Sequence, residues 1–407
     1  MIMFAVARVL LLGVELILAL PVLYLLAIAV GAVIGTIRHG QFGRKPESIR
    51  DSAPRFAVLV PAHNEELLIG KALHSLAALE YPTDRFTINV IADNCTDHTA
   101  DIARAAGAVV YERANDEKRG KGYALAWAFD RLMHDDAQYD SYVILDADAV
   151  VDSQFLKALA SGMAHGALAL QSHNAVLNAA ESETSALRWL ALSLMNYIRP
   201  LGRNVLGGSS TLTGNGMCLT HELLARHPWQ AFGLSEDYQY YLSIIASGEK
   251  ALFVPRANVR SVMPTSARQL TTQDIRWETI SPDAQSWQRH IAWLLFRDGV
   301  RHFSWVRLDA LAELLTPPLS VLASGCAVAL VGALLLAAPL QMVLAGALSI
   351  ALFAYVASAF ILLRPPLAVY RAVAYAPFYI ARKLWIYFVL RRQRKNSSTW
   401  VRTSRTA

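Results

Sequence analysis

The sequence predicts an α/β domain with a mostly parallel sheet and helices on both faces, accompanied by segments hydrophobic enough to cross a membrane. Strand-like and helix-like segments alternate from Arg55 to Val150 with short connections, which is typical of a parallel sheet covered by helices. Polar clusters follow the predicted strands at their carboxyl ends, where open α/β sheets bind ligands. Of the 407 residues, 54% are hydrophobic, and the mean hydropathy of +0.31 is high for a soluble protein.

Two carboxylates follow the most informative predicted strand, residues 142–145. Asp146 and Asp148 occupy alternate positions after it, and alternate positions of an extended chain share one face. Such a pair can hold one Mg²⁺ or Mn²⁺, because these cations bind one or two carboxylates together with substrate phosphates. For a D-x-D pattern taken alone, a solvated turn is the alternative interpretation.

Two further polar clusters are predicted to reach the same edge of the sheet. The strand at 57–60 is followed by Pro61 to Glu66, and the strand at 87–92 ends in Asp93 to Asp97. The later segment Lys118 to Leu125 places basic residues and two glycines at the start of a helical pattern. This arrangement indicates an anion site, because helix N-termini and cations both favour phosphate.

The order and spacing of these motifs resemble the processive family 2 glycosyltransferases, the cellulose-synthase-like and hyaluronan-synthase-like membrane enzymes. The resemblance covers roughly residues 54 to 280. One departure is Glu278, where many relatives have glycine. The motifs that carry the resemblance are P-A-H-N-E from Pro61, Asp93 to Asp97, Lys121-Gly122, D-A-D from Asp146, Gly214-Asn215-Gly216, Ser235 to Tyr238, and Q-x-x-R-W from Gln273 to Trp277.

The resemblance implies a GT-A-type domain that transfers a sugar from a UDP-sugar with inversion, using Mg²⁺ or Mn²⁺. Asp148 would ligate the metal, and Asp146 would support the metal or the nucleotide. Asp237 of the Glu236-Asp237 pair would be the general base that deprotonates the acceptor hydroxyl, although such a pair is also common as a helix cap. The other donor-side residues would be Pro61, Glu65, Asp93, Lys121, Gln273 and Arg276, and the acceptor-side residues would be Trp277, Gly214 and Gly216.

Uncharged segments predict three membrane spans. Residues 16–37 form a run of 22 without charge, and residues 314–363 form a run of 50, enough for two spans joined by a turn near Ala338. Arginine and lysine cluster after the first span, before the second and after the third, which marks the cytoplasmic side. We therefore expect a multi-pass protein of the cell (inner) membrane with a cytoplasmic catalytic domain over residues 50–280. Glu15 lies beside the first span and should face protein or water.

Two segments next to the spans combine aromatic residues with arginines. Residues 281–309 are predicted to form interfacial helices, and residues 366–407 are predicted to form an interfacial helix and a basic tail. Helices that pack on the catalytic domain are the alternative. The net charge of +6 is accounted for by these basic flanks, so no nucleic acid partner is expected. The three cysteines are scattered and lack metal-ligand spacing, which argues against a zinc site.

The sequence as a whole favours a membrane-embedded inverting β-glycosyltransferase that elongates an exopolysaccharide processively. A transferase that adds a single sugar to a lipid is one alternative. A polymer-conducting membrane module without its own catalysis is another. The expected partners are the UDP-sugar donor, the growing glycan, the lipid bilayer, and either export proteins or further copies of the chain.

Overall fold

The computed structural model describes residues 2–41, 53–134, 138–233, 235–265, 273 and 282–393. Within these residues a single eight-stranded sheet forms the centre of an α/β domain, and long apolar helices lie beside it. The predicted α/β class is therefore confirmed. The strands are β1 (Phe56–Ala62), β2 (Phe86–Asp93), β3 (Val109–Arg113), β4 (Ser141–Ile144), β5 (Val150–Val151), β6 (Ala169–Val176), β7 (Met217–Thr220) and β8 (Ala251–Ser261).

The sheet is mixed and, as expected, mostly parallel, since four of its seven strand pairs are parallel. Its strand order is β3-β2-β1-β4-β7-β6-β8-β5. β1 to β4 pair in parallel, as do β6 and β8. β7 runs antiparallel to both β4 and β6, and β5 runs antiparallel to β8. The expectation rested on residues 55–150, where strand, helix and strand alternate, and every antiparallel pair involves β5 or β7.

Both faces of the sheet are covered, which explains why the strands are continuous hydrophobic runs. In β1, Ala57 and Leu59 face a core layer that contains Phe129, whereas Val58 and Val60 face the layer on the opposite side. The side chains of these four β1 residues are fully buried. This alternation follows from the two-residue period of a strand, and it leaves the carboxyl ends of the strands open for polar residues.

Eight helices connect the strands within the described part of this domain. α4 begins directly after Gly120, whose φ of +116° favours glycine. α9 has two acidic residues in its first turn, where the helix dipole stabilises negative charge. The helices are α2 (Ile69–Ala77), α3 (Thr99–Ala105), α4 (Lys121–Leu132), α5 (Phe155–Met163), α6 (Glu183–Ser193), α7 (Arg199–Val205), α8 (His221–Arg226) and α9 (Glu236–Ala246), preceded in the chain by α1 (Ile2–Gln41).

Six helices follow the central domain in the described residues. By length and composition α1 and α13 can each cross a membrane, whereas α11 and α12, bent by 70° at their junction, add a third crossing only if the pair is one span. The predicted turn near Ala338 separates α12 from α13. The helices are α10 (Pro282–Arg301), α11 (Trp305–Leu315), α12 (Leu319–Leu335), α13 (Pro339–Leu363), α14 (Leu367–Ala372) and α15 (Ala376–Gln393).

Small residues attach α1 closely to the central domain. A Cβ at Gly202 of α7 would lie 2.1 Å from the carbonyl oxygen of Ile28, and a Cβ at Gly31 would lie 2.8 Å from the carbonyl oxygen of Gly202. Glycines allow two helix backbones to approach this closely. Nearer the N-terminus of α1, Glu15 is 1% exposed and faces protein, as expected of an ionisable residue in an apolar helix.

Candidate active site

Asp146 lies just beyond the carboxyl end of β4 and is held from two sides. Its backbone N–H donates to Oδ1 of Asn215 at 3.1 Å, and its Oδ1 accepts a hydrogen bond from Nζ of Lys121 at 2.6 Å. Asp148, two residues further along, is partly buried. The structure therefore places both predicted metal carboxylates at the expected edge of the sheet, with Lys121 bound to the first of them.

Lys121 occupies the centre of the site. Its Nζ also donates to the carbonyl oxygen of Gly214 at 2.9 Å and lies 4.0 Å from Oε1 of Glu236. Burial disfavours the charged amine, but the Asp146 and Glu236 carboxylates outweigh burial and hold the pKa of Lys121 above its usual value. Lys121 therefore remains a cation that links the aspartate pair to the acidic residues of α9.

The first turn of α9 carries the predicted catalytic acids, Glu236 and Asp237. Burial and the neighbouring Asp237 carboxylate raise the pKa of Glu236 to about 7. Burial also raises the pKa of Asp237, against the opposing effect of Lys121. Oδ1 of Asp237 accepts a hydrogen bond from the backbone N–H of Tyr238 at 2.8 Å. Carboxyl groups with raised pKa values suit proton transfer near neutral pH.

The loop before β7 brings two glycines into close contact with protein side chains. Gly214 has φ +72° and Gly216 has φ +75°, in the region that favours glycine. A Cβ at Gly214 would lie 2.8 Å from Oδ2 of Asp237, and a Cβ at Gly216 would lie 1.8 Å from Oγ of Ser172. These contacts require glycine at both positions, whereas the proximity of the two glycines to the acceptor stays a prediction.

On the donor side Asp93 is buried in an ion pair that sequence reasoning missed. Its Oδ1 accepts from Nη1 of Arg113, and Nη2 of Arg113 donates to the carbonyl oxygen of Lys118 at 2.6 Å. The two residues face each other because Asp93 of β2 pairs in register with Arg113 of β3. The sequence carries no local signal for this pairing, since strand register depends on the packed sheet.

Pro61 and Glu65, also predicted to bind the donor, flank the carboxyl end of β1. Pro61 is the sixth of the seven residues of that strand. The backbone N–H of Glu65 donates to Oγ1 of Thr99 at 2.8 Å, which ties the loop after β1 to the start of α3. Nδ1 of His63 lies 2.7 Å from the carbonyl oxygen of Asp93. The ends of β1, β2 and β4 thus form one continuous polar edge.

A cleft of about 660 Å³ opens beside Arg113, at the β3 end of the sheet. Tyr123 and Phe232 stack in its wall with ring centroids 4.6 Å apart. Trp127 adds another flat face, and Lys118 adds a cation. Such a lining can take a planar ligand with negative charge. Neither Asp146 nor Asp237 lines the cleft, which therefore adjoins the polar edge without including the acid pair.

A buried ion pair attaches α9 to the neighbouring helices. Nη2 of Arg203 donates to Oδ2 of Asp309 at 2.8 Å, and these two side chains are 1% and 4% exposed. The same Nη2 donates to the hydroxyl of Tyr241 on α9 at 2.9 Å, and the hydroxyl of Tyr24 on α1 donates to Oδ1 of Asp309 at 2.9 Å. Breaking one partner of such a pair is strongly destabilising. The helix with the acid pair is therefore fixed to α1, α7 and α11.

The two aspartates fit a divalent cation that is completed by a diphosphate. Among the described residues no three His, Cys, Asp or Glu side chains are grouped to hold an ion. A cation at Asp148 and Asp146 would therefore take its other oxygens from substrate or water, which is how proteins usually bind Mg²⁺.

The Q-x-x-R-W motif is only partly described. Gln273 is 8% exposed, and its Oε1 accepts from Nη2 of Arg188 on α6 at 3.1 Å. It is thus already bound to the central domain. Arg276 and Trp277, predicted to contact the diphosphate and the acceptor, lie outside the described residues.

Several known glycosyltransferases are similar to this chain in sequence or in structure. A "Beta-monoglucosyldiacylglycerol synthase" from Nostoc sp. is 29% identical over 258 residues, which cover 61% of this chain and 52% of the relative. A "4,4'-diaponeurosporenoate glycosyltransferase" from Staphylococcus aureus is 34% identical over 109 residues, 27% of each chain. The structure of "Mannosyltransferase PcManGT from Pyrobaculum calidifontis in complex with GDP-Man and Mn2+" aligns with a TM-score of 0.47 and 17% identity, covering 84% of this chain and 97% of that one.

The chain spans about half the length of the relatives that match it over its central domain. The sequence model described as "Glycosyltransferase like family 2" matches residues 54–279, more than half of the chain. That match includes all eight strands and the acid pair of α9. The protein therefore belongs to glycosyltransferase family 2 and has its GT-A-like fold.

Proposed function

We propose that this protein transfers a single sugar from a nucleotide-sugar donor to the hydroxyl of a membrane lipid. The observation that carries the proposal is the match over 258 residues to a protein named for the synthesis of monoglucosyldiacylglycerol. This relative supports the lipid-acceptor alternative over the processive polysaccharide synthase that the resemblance implied. The motifs shared with processive enzymes concern the donor and the base, and they leave the acceptor open.

On the donor side, the diphosphate would bind at the edge formed by Asp146, Asp148 and Lys121. A bound Mg²⁺ or Mn²⁺ would neutralise charge on the departing diphosphate. Lys121 adds a fixed positive charge close to the same place, because its amine is anchored by Asp146. The nucleoside would lie near Asp93 and Arg113, where the aromatic cleft provides flat surfaces for stacking. UDP is the expected nucleotide.

On the acceptor side, Asp237 would act as the general base. The acceptor oxygen forms a bond to the anomeric carbon while the bond from that carbon to the diphosphate oxygen breaks, and the hydroxyl proton passes to Asp237. This single displacement inverts the anomeric carbon, so an α-linked donor gives a β-linked product. Glu236 lies beside the base, and its charge state near neutral pH modulates that of Asp237.

Membrane attachment supports a lipid acceptor. The candidate spans α1 and α13 associate the chain with a membrane, and we propose a multi-pass arrangement in the inner membrane with residues 50–280 in the cytoplasm. Phe378 and Trp385 of α15 are 76% and 65% exposed, as expected of a helix that lies at a membrane surface. A catalytic domain fixed at this surface can reach lipid headgroups directly.

The test is product analysis with purified protein in detergent micelles containing dioleoylglycerol, incubated with a panel of radiolabelled UDP-sugars and Mg²⁺ or Mn²⁺. We expect a lipid carrying one sugar with one of the donors. The Asp237→Asn variant is the matched control and should give none. A water-soluble polymer from the wild-type protein, with no glycolipid, would overturn the proposal in favour of the processive synthase.

A further inference from the structure

A glutamine interrupts the apolar core in the middle of β6. Gln171 is 1% exposed and lies between the buried residues Leu170 and Ser172. The two-residue period of a strand places its side chain on the same face as Ala169, towards the core layer that contains Tyr240 of α9. A buried amide is stable there only when its polar atoms are hydrogen-bonded. The partners of Gln171 therefore show what it holds in place.

These partners include the two ends of a three-residue turn around Gly214. Oε1 of Gln171 accepts a hydrogen bond from the backbone N–H of Thr213 at 2.9 Å, and Nε2 donates to the carbonyl oxygen of Asn215 at 2.9 Å. The same Nε2 also donates to the carbonyl oxygen of Ser172 at 3.1 Å. Only one orientation of the amide makes these three bonds, because a flipped amide would set its oxygen against two carbonyl oxygens.

The turn has a strained backbone. The N–H of Asn215 donates to the carbonyl oxygen of Thr213 at 2.8 Å, and Gly214 between them has φ +72°. A γ-turn with positive φ is rare and strained, and such a backbone persists only where the surrounding structure fixes it. Gln171 helps to fix it, since its amide bonds one backbone group on each side of the glycine.

The turn contacts both the donor side and the proposed base. The carbonyl oxygen of Gly214 accepts from Nζ of Lys121 at 2.9 Å, and a Cβ at Gly214 would lie 2.8 Å from Oδ2 of Asp237. Oδ1 of Asn215 accepts from the backbone N–H of Asp146 at 3.1 Å. A shift of the turn by about 1 Å would thus move Asp237 relative to the donor, and a displacement of this size can cost about 10²-fold in rate.

We infer that Gln171 is a positioning residue for the transfer reaction, because it holds Gly214 at the place that sets the spacing between Asp237 and Lys121. It contacts neither donor nor acceptor and acts only through the turn. The inference rests on the proposed function, from which it takes Asp237 as the base. It adds a residue that lies outside the motifs on which the resemblance to the family depends.

The experiment compares Gln171→Met with wild type in the glycolipid assay. Methionine has a similar length but makes none of the three hydrogen bonds. We expect kcat to fall about 10²-fold, while the donor KM and the affinity for UDP with Mn²⁺ stay within about threefold, since Lys121 remains bonded to Asp146. Leu170→Val is the matched control: it removes a methylene from the opposite face of the same strand and should lower Tm without lowering kcat.

A double variant separates positioning of the base from a general loss of structure. When Asp237→Asn is already present, Gln171→Met should lower turnover by no more than about threefold, because residues that act as a unit are not additive. A further loss of about 10²-fold in that background would overturn the inference. Unchanged kcat in Gln171→Met alone would also overturn it.

A second variant protects the test against misfolding. Gln171→Asn keeps an amide in the core but is one methylene too short to bond both sides of the turn, and it should lower kcat about tenfold. Wild-type kcat in this variant would overturn the inference and leave the proposed function intact. The proposed function is decided separately, by whether wild type makes a lipid with one sugar, and the rates can be compared with whichever product forms.

Discussion

The carboxylate of Asp237 packs directly against the backbone of Gly214, so that a Cβ at Gly214 would lie 2.8 Å from Oδ2 of Asp237. Lys121 contacts the same glycine from another direction, donating to its carbonyl oxygen at 2.9 Å. One residue without a side chain thus sets the spacing between the proposed base and the cation on the donor side.

Gly214→Ala should lower kcat by about 10²-fold, the typical cost of displacing a catalytic group by about 1 Å. The new methyl group would push Asp237 aside, and the φ of +72° would add strain. UDP affinity should change little. Gly107→Ala is the control, because Gly107 has φ +82° but open space around its Cβ position. The measurement is steady-state kinetics. Equal losses of kcat in both variants would show that backbone strain alone is responsible.

Asp237→Asn should reduce turnover by about 10²- to 10⁴-fold, the usual contribution of a general base. The amide keeps the shape of the side chain but cannot take the acceptor proton. UDP binding, measured by calorimetry, should remain within a fewfold of wild type. Turnover close to that of wild type would exclude Asp237 as the base.

Asp148→Ala should instead weaken binding of UDP in the presence of Mg²⁺ or Mn²⁺, because it removes a ligand of the proposed cation. Without metal, the variant and wild type should bind UDP equally. The measurement is a UDP titration with and without added metal. Metal-independent UDP binding by the wild-type protein would contradict the metal role of Asp148.

Glu236 should make the folded protein less stable as the pH rises from about 4.5 to about 7. Burial raises its folded-state pKa to about 7, whereas an unfolded glutamate titrates near 4.3. The folded state therefore binds more protons in this window, and stability falls as they are lost. In Glu236→Gln the difference in Tm between pH 5 and pH 8 should shrink, while Glu222→Gln should behave as wild type. An unchanged difference in Glu236→Gln would contradict the shifted pKa.

Glu15→Leu should stabilise the protein. Both carboxyl oxygens of Glu15 are buried without a hydrogen-bond partner in the described residues, and removing such groups can recover about 1 to 3 kcal/mol. Thermal unfolding in detergent would detect this as a higher Tm. A lower Tm, or a loss of glycolipid product at unchanged Tm, would show instead that Glu15 binds a partner.

The order and spacing of motifs were enough to predict the family and the polar edge of the sheet. The structure places Asp146, Lys121 and Asp237 close together, in agreement with that prediction. The motifs did not determine the acceptor, since the same motifs serve enzymes that extend polymers and enzymes that glycosylate lipids. Acceptor choice depends on surfaces outside the motifs, and the sequence offers no pattern for these.

The sequence by itself determined the α/β class, the placement of acidic residues after β4 and in the first turn of α9, and the apolar length of α1 and α13. These properties follow from local periodicity and composition, which a single segment expresses by itself. Only the tertiary structure decided that Lys121 binds Asp146 across 25 positions and that Arg199 binds Glu313 across 114. Such contacts depend on strand register and helix packing, which are set by the burial of distant segments against each other and by no local pattern.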